Sequence, residues 1–238
     1  MKNVIALAGP KGSGKSTVAD WLVRERGYKS LSLAEPLKRL AKQFFPNTLT
    51  MEDLYGPSHR RERLLTPVEK RRAVVELQAA VTWLRLDPDG RAAMTELFGG
   101  HDPDRNVAPY LTRAFDPAEE GFKSPRTILQ RLGTEWGRQV WDEVWLEAVR
   151  RTVSANLSAR YVIPDCRFPN EAQYLKEKLG ADVYWVDAGT RLAGRPEDQH
   201  PSEPRRDQLI GLCSGEIDNS RELADLLTLL LTQPPFHG

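Results

Sequence analysis

The stretch "GPKGSGKS" (9–16) follows the apolar run "NVIALA" (3–8) and overlaps the start of "GKSTVADWLVRE" (14–25). The apolar run is typical of a buried strand, and the last stretch is typical of an amphipathic helix. The turn between them fits G-x-x-x-x-G-K-[ST], with Gly9, Gly14, Lys15 and Ser16 at the fixed positions. A glycine-rich turn between strand and helix predicts an α/β protein whose first strand is buried in a parallel sheet.

This pattern is typical of a phosphate-binding loop, because glycines let several backbone N–H groups converge on phosphate oxygens. The following helix N-terminus adds positive potential. Lys15 is expected to reach the β- and γ-phosphates of a nucleoside triphosphate, and the Ser16 hydroxyl is expected to bind Mg²⁺. The predicted nucleotide-binding residues are Gly9, Lys11, Gly12, Ser13, Gly14, Lys15, Ser16 and Thr17.

The composition narrows the class of protein. The chain has 238 residues, 40% of them hydrophobic and 28% charged, with a net charge of +1. A general nucleic-acid surface usually has a strong basic excess, and no apolar run approaches the ~20 residues of a membrane span. The N-terminus lacks a signal-peptide pattern, and the only cysteines, Cys166 and Cys213, have neither metal nor disulfide spacing. We therefore expect a cytoplasmic protein, with neither polymeric nucleic acid nor a membrane as its partner.

The rest of the chain alternates strand and helix patterns, except between residues 46 and 123, where strand signals are absent and charges are dense. The alternation predicts a parallel sheet flanked by helices. We predict a core of residues 1–45 and 124–238, with a mostly helical insertion at 46–123 and a loop at 99–110. "SPRTILQRLGTEWGRQVWDEVWLEAVRRTVSAN" (124–156) is predicted to be one long helix, with Ser124 as its N-cap and with weak points at Gly133 and Gly137.

Charged residues recur along this predicted helix. Arg131, Glu135, Arg138 and Asp142 are spaced by four, three and four residues, which places them on one face of an α-helix. They are either a solvated stripe of paired charges or an arginine clamp on a phosphate, with the carboxylates orienting the guanidinium groups.

Two further stretches carry candidate site residues. "RYVIPD" (160–165) places Asp165 at the carboxyl end of a predicted strand, where a carboxylate can hold Mg²⁺, although a capping role is the alternative. Arg167 could reach the same phosphates, and Asn170 and Glu171 could equally cap the next helix. The loop at about 188–207 contains Arg191 and Arg195 and is either a lid that closes over phosphates or a plain surface loop.

Four stretches together resemble the phage-type deoxynucleoside monophosphate kinases. They are "LAEPLK" (33–38), "SPRTILQRLGTEWGR" (124–138), "VIPDCRFPNEA" (162–172) and "HPSE" (200–203). The resemblance extends from residue 3 to about residue 219 and leaves out the insertion.

The resemblance implies a P-loop kinase core, a helical acceptor-binding region and a lid. It implies Mg²⁺-dependent transfer of the γ-phosphate of ATP to a deoxynucleoside 5′-monophosphate, in a bacterial host's cytoplasm if a phage encodes the chain. By position, it places Lys38, Arg131, Glu135 and Arg138 near the acceptor, and Asp165 and Arg167 near the transferred phosphate. The catalytic candidates are Lys15, Asp165, Arg167, Arg191 and Arg195, and the metal candidates are Ser16 and Asp165.

The residues are also compatible with two other functions. A dephospho-coenzyme A kinase, or another small-molecule kinase, could use the same core. A regulatory protein could bind nucleotide without transferring phosphate. A monophosphate acceptor needs no general base, since its second pKa is about 6, and the chain offers no Ser-His-Asp arrangement. The oligomeric state is open, with a homodimer as one candidate.

Overall fold

The computed structural model describes residues 3–115, 122–189, 206–232 and Phe236. The chain divides into two compact units: residues 1–33 with 149–238, here called the sheet unit, and residues 34–148, here called the helical unit. These boundaries differ from the predicted ones, because residues 34–45 and 124–148 belong to the helical unit rather than to the sheet-containing core.

The described helices, in chain order, are α1 (Lys15–Arg26), α2 (Glu35–Phe44), α3 (Met51–Tyr55), α4 (Ser58–Glu62), α5 (Pro67–Leu86), α6 (Pro88–Leu97), the π-helix π1 (Pro103–Val107), α7 (Ala108–Ala114), α8 (Pro125–Gln130), the π-helix π2 (Arg131–Arg138), α9 (Val144–Ser154), α10 (Pro169–Leu179), α11 (Arg206–Leu212) and α12 (Leu223–Thr232). The described strands are β1 (Val4–Ala8), β2 (Lys29–Ser30), β3 (Tyr161–Cys166), β4 (Asp182–Asp187) and β5 (Gly215–Asp218).

The described strands of the sheet unit form a single parallel sheet in the order β2-β3-β1-β4-β5. β1 is central: Ala6 lies opposite Ile163 of β3 on one side and Val183 of β4 on the other. All five residues of β1 are buried, as its apolar run predicts. The parallel sheet flanked by helices confirms the predicted α/β fold class.

The core of the sheet unit lies between β1 and its helices. Val18 and Leu22 of α1 are fully buried in the same cluster as Ile5 and Leu7 of β1. Burying each such side chain stabilises the fold by about 1.5–3 kcal/mol. Because the strands are parallel, their carboxyl ends meet at one edge, which is where open α/β sheets bind ligands.

The helical unit is organised around aromatic side chains. Phe44 and Phe98 pack on the buried ring of Trp136, with ring centroids 5.7 and 5.1 Å away. Thr66 accepts a hydrogen bond from the Glu69 amide and Glu69 bonds back to Thr66, which forms a capping box at the start of α5. The core of this unit thus combines aromatic rings with leucine, alanine and valine side chains from several helices.

The prediction of one helix over 124–156 is wrong. Ser124 does cap α8, but π2 follows directly, and the chain turns at residues 141–143 before α9 begins at Val144. The turn lets the Trp145 ring fold back over Gly137, where a Cβ would lie 2.5 Å from Trp145 Cζ2. The predicted loop at 99–110 is also partly wrong, since it contains π1 and the start of α7.

Candidate active site

The turn between β1 and α1 has the backbone of an anion-binding loop. Gly9 and Gly14 have φ angles of +137° and +100°, which side-chain-bearing residues rarely adopt. A Cβ at Gly9 would lie 2.6 Å from the Val186 carbonyl oxygen, and one at Gly14 would lie 2.1 Å from Asn219 Nδ2. The loop leads into α1, whose first N–H groups have no partner within the helix. These amides can therefore bind phosphate oxygens.

The ammonium group of Lys15 lies across this loop. Lys15 Nζ donates hydrogen bonds to the carbonyl oxygens of Gly9 (2.7 Å) and Pro10 (2.6 Å). Burial lowers the pKa of Lys15 from 10.5 to about 8; the charge of Arg167 also lowers it, and the charge of Asp165 opposes the shift. The structure thus brings three of the predicted catalytic residues within electrostatic reach of one another.

We expect nucleotide binding to be coupled to proton uptake by Lys15. A bound polyphosphate favours the ammonium form and raises the Lys15 pKa above its value of about 8 in the free protein. The bound state then holds more protons above about pH 8, so affinity should fall as the pH rises above about 8. Calorimetric titration with ADP in buffers of different ionisation enthalpy measures this uptake. If the Lys15→Ala variant takes up the same number of protons when it binds ADP, the proton uptake belongs to a group other than Lys15.

Asp165 lies at the carboxyl end of β3 and joins it to the segment after β2. Its Oδ2 accepts a hydrogen bond from Ser32 Oγ (2.6 Å), and its Oδ1 accepts one from the Leu33 amide (2.9 Å). The carboxylate therefore orders the chain between β2 and the helical unit as well as acting on Lys15. Neither contact excludes a metal, because a carboxylate has about four lone-pair positions.

The helix after β3 is capped by a different carboxylate. Buried Glu171 accepts hydrogen bonds from the backbone amides of Arg167 (2.8 Å) and Phe168 (3.2 Å) at the start of α10. Of the two roles open for Glu171, the structure therefore supports capping. The Arg167 side chain is exposed and acts on Lys15 through space, which leaves it accessible to a ligand.

Lys38 lies on α2 of the helical unit beside an exposed aromatic ring. Its Nζ is 4.8 Å from the ring centroid of Tyr55. The Tyr55 hydroxyl donates to Glu35 Oε1 (3.2 Å), and Glu35 also pairs with Arg39 (2.7 Å). A cation, an aromatic face and a carboxylate are thus grouped at the N-terminal half of α2.

The predicted acceptor arginines lie at the two ends of π2. Arg131 Nη1 donates to the Ala114 carbonyl oxygen and pairs with Glu135 at 3.3 Å. A π-helix has a wider turn with i→i+5 bonds, so the eight residues from Arg131 to Arg138 span less than two full turns. The single α-helical face that the spacing predicted is therefore not formed, and Asp142 lies in the turn that follows.

Two tryptophans and a glycine determine where π2 lies. Trp145 Nε1 donates to the Gly133 carbonyl oxygen (2.9 Å), and Trp136 Nε1 donates to that of Val107 (2.9 Å). Gly133 packs against Leu37 of α2, where a Cβ would lie 2.8 Å from Leu37 Cδ2. This contact places π2 next to α2, which carries Lys38.

The predicted lid lies mostly outside the described residues. Arg191, Arg195 and His200 all fall in the segment 190–205, which the structure does not describe. The lid assignment therefore stays a prediction.

Sequence reasoning missed three residues that shape the site. Ser32 binds Asp165, Asn219 binds the P-loop, and Trp145 binds π2. Only Asn219 had a usable signal, because it ends the strand-like stretch "SGEIDN" (214–219) at the edge of the sheet where ligands bind. Ser32 and Trp145 have no such signal, because their partners come close to them only when the chain folds.

Two features are absent from the part of the chain that the structure describes. No helix there is both long enough and apolar enough to cross a bilayer. No three or more His, Cys, Asp or Glu side chains there are grouped as a metal site.

Comparison with known proteins gives consistent matches. The family described as deoxynucleotide monophosphate kinase matches residues 3–207. A protein of Acanthamoeba polyphaga mimivirus, provisionally named a deoxynucleotide monophosphate kinase, is 28% identical over 200 residues, covering 84% of this chain and 80% of the relative. The deoxynucleoside-5′-monophosphate kinase of Escherichia phage T5 is 29% identical over 201 residues, covering 77% of this chain and 75% of the relative.

Proposed function

Because the chain belongs to the deoxynucleotide monophosphate kinase family, we propose that it transfers the γ-phosphoryl group of ATP to deoxynucleoside 5′-monophosphates with Mg²⁺. The observation that carries this proposal is the complete phosphate-binding loop, with Lys15 lying across it within electrostatic reach of Asp165 and Arg167. A cytoplasmic location and a homodimer stay predictions.

Phosphoryl transfer to a phosphate acceptor depends mainly on how the two substrates are positioned and on positive charge around the transferred group. An acceptor phosphate oxygen is already ionised near neutral pH, so no side chain has to remove a proton. The amides of the loop bind the β- and γ-phosphates, and Lys15 exchanges its bonds to the Gly9 and Pro10 carbonyls for bonds to phosphate oxygens. Arg167 adds a permanent positive charge where negative charge develops in the transition state.

The donor set suits Mg²⁺. This ion prefers oxygen ligands and is usually held by one or two protein groups together with substrate phosphates. Ser16 offers an exposed hydroxyl in the first turn of α1, and Asp165 offers a carboxylate within electrostatic reach of Lys15. When bound, the ion neutralises charge on the transferring phosphates.

Asp165→Asn should weaken metal-dependent turnover, with partial rescue at high Mg²⁺, because an amide is a weaker ligand than a carboxylate. The fold should persist, since an amide oxygen can still accept from the Leu33 amide while its NH₂ group donates to Ser32 Oγ. Turnover is measured against Mg²⁺ concentration. Ser32→Ala is the matched control, since it removes a partner of Asp165 but keeps the carboxylate. An unchanged Mg²⁺ dependence in Asp165→Asn would leave Asp165 with a structural role only.

The helical unit provides the acceptor-binding side chains, with Lys38, Arg131 and Arg138 as cations and Glu135 as the group that orients Arg131. Arg131 is also tied to the Ala114 carbonyl oxygen, so part of its role is to hold π2 in place. The predicted lid arginines, Arg191 and Arg195, would complete the charge around the transferred phosphate.

Arg138→Lys should raise the Michaelis constant for the monophosphate strongly and that for ATP little. A planar guanidinium can bind a phosphate through two hydrogen bonds, and an ammonium cannot. The lost contact corresponds to about 1.5–3 kcal/mol, or roughly 10- to 150-fold in acceptor specificity. Arg131→Lys should act similarly but also lower the melting temperature. Arg126→Lys, which changes an exposed arginine paired with Glu62, is the control. Normal acceptor kinetics in both π2 variants would move the acceptor site elsewhere.

The deciding experiment is an ADP-release assay against all ribo- and deoxynucleoside monophosphates and dephospho-coenzyme A. Release that depends on a deoxynucleoside monophosphate supports the proposal. Release that depends only on dephospho-coenzyme A supports the rival kinase, and binding of ATP with no acceptor-dependent release supports a regulatory protein.

A further inference from the structure

Asn219 is a buried polar residue that directly follows β5, and only 6% of its surface is exposed. Its backbone amide donates to the Asp187 carbonyl oxygen (2.7 Å) at the end of β4. Its side-chain Nδ2 donates to the Ser13 carbonyl oxygen (2.7 Å) inside the phosphate-binding loop. The residue thus links the ends of β4 and β5 to a loop more than two hundred positions earlier in the chain.

The Ser13 carbonyl belongs to the same peptide group as the Gly14 N–H. In a trans peptide these two groups point in opposite directions. An acceptor held toward Asn219 therefore aims the Gly14 N–H away from Asn219. Gly14 is the glycine immediately before Lys15, so its amide is among those that the motif directs at phosphate.

The fit around Gly14 is close. A Cβ there would lie 2.1 Å from Asn219 Nδ2, so the amide side chain lies directly against the loop where it enters α1. The Ser13 amide donates to the Pro10 carbonyl oxygen (3.2 Å), and the Val18 amide donates to that of Gly14 (3.0 Å), so the peptide groups on both sides are also held. Without Asn219, the Ser13–Gly14 peptide would be the least constrained in this part of the loop.

We propose that Asn219 is a positioning residue that orients the Gly14 amide toward the nucleotide phosphates. This inference rests on the proposed function only in taking the ligand to be a nucleoside polyphosphate. Asn219 does not touch the reacting atoms; it acts through one hydrogen bond to the loop backbone.

The test is ADP binding by calorimetry, which requires no phosphoryl transfer. Asn219→Ala should bind ADP on the order of 10-fold more weakly, as expected for a lost hydrogen bond and a reoriented amide. Asn219→Asp keeps the side-chain shape but places an acceptor against the Ser13 carbonyl, so the loss should be larger. In a kinetic assay the variants should raise the Michaelis constant for ATP and leave that for the acceptor unchanged.

A second readout separates positioning from general stability. The amide resonance of Gly14 in a ¹⁵N-labelled protein should shift on ADP addition, and Asn219→Ala should reduce that shift. Ile217→Val, a fully buried change in β5, is the control: it should lower the melting temperature but leave ADP affinity and the shift unchanged.

The proposal is overturned if Asn219→Ala binds ADP as tightly as the wild type. It is also overturned if Ile217→Val weakens ADP binding equally, because the effect would then come from general loosening of the sheet. If wild-type protein binds ADP but phosphorylates no monophosphate, the proposed function fails while the binding test of Asn219 still decides this inference.

Discussion

Lys15→Ala should lower turnover by on the order of 10²-fold or more while leaving the protein folded. The ammonium group is placed to stabilise charge that develops on the transferring phosphoryl group, and losing one such group typically has an effect of this size. Its contacts in the free protein are two loop carbonyls, Gly9 and Pro10, which are not part of the core packing.

The direction in which Lys15→Ala changes the stability of the protein follows from the pKa of Lys15. Because the Lys15 pKa falls to about 8 in the folded protein, the buried charge opposes folding at neutral pH, and the wild type gains stability as the pH rises from about 8 to 10.5. Lys15→Ala should therefore melt no lower than the wild type at pH 7 and should lack this rise. Steady-state kinetics and thermal melts measure both effects. Exposed Lys178 on α10 is the control position for Lys→Ala. Wild-type turnover in folded Lys15→Ala would refute the kinase mechanism.

Arg63→Met should lower the stability of the helical unit by about 3 kcal/mol, the lower end of the range for removing one partner of a buried pair, because Arg63 itself is 24% exposed. The Asp53 side chain is fully buried, and Arg63 binds it through Nε to Oδ1 (2.7 Å) and Nη2 to Oδ2 (2.9 Å). Arg63 Nη1 also donates to Glu69 (2.9 Å). Removing the guanidinium therefore leaves the carboxylate of Asp53 buried without its counter-charge.

The stability that the Asp53–Arg63 pair contributes depends on pH. Burial alone would raise the Asp53 pKa, but hydrogen bonds from Arg63 and Thr50 outweigh it and hold the pKa at about 2, below the ordinary 3.8. The folded pKa is depressed, so the pair's stabilisation is present above about pH 4 and is lost as the pH falls from about 4 to 2. The stability difference between wild type and Arg63→Met should shrink over that range.

Urea denaturation of the whole protein at several pH values measures this difference. Arg126→Met removes the exposed pair with Glu62, whose two side chains are 55% and 57% exposed, and should cost less than about 1 kcal/mol. The double variant Arg63→Met with Asp53→Asn should recover part of the loss, because the uncompensated charge is gone. If Arg63→Met costs no more than Arg126→Met, the buried pair is not a major source of stability.

Much of the sheet unit could be predicted from the sequence because its signals are local. The β1 run, the glycine pattern and the first turn of α1 lie within about twenty consecutive residues, and each part has a specific backbone requirement. β3 was likewise predicted to within one residue at each end, because a short apolar run bounded by polar turns indicates a buried strand. The N-caps Thr66 and Ser124 have equally local signals.

In the helical unit, local sequence signals predicted one segment incorrectly. The regular spacing from Arg131 to Asp142 predicted a single α-helix, but π2 and a turn occupy this stretch. The difference depends on Trp145, whose ring packs on Gly137 and whose indole N–H takes the Gly133 carbonyl. The two glycines, Gly133 and Gly137, predict a weak point in the helix, but periodicity does not reveal the Trp145 contacts at both of them.

The sequence by itself determined that a parallel sheet forms, where the phosphate-binding loop lies and which family the chain resembles, because each depends on residue types at fixed short spacings. Only the tertiary structure decided what holds the loop and the strand ends. Asp165 meets Ser32 across 133 positions, and Asn219 meets Ser13 across 206. A buried polar group must find a hydrogen-bond partner, but which partner it finds depends on which strands become neighbours in the sheet. That choice is made by the packing of the whole unit.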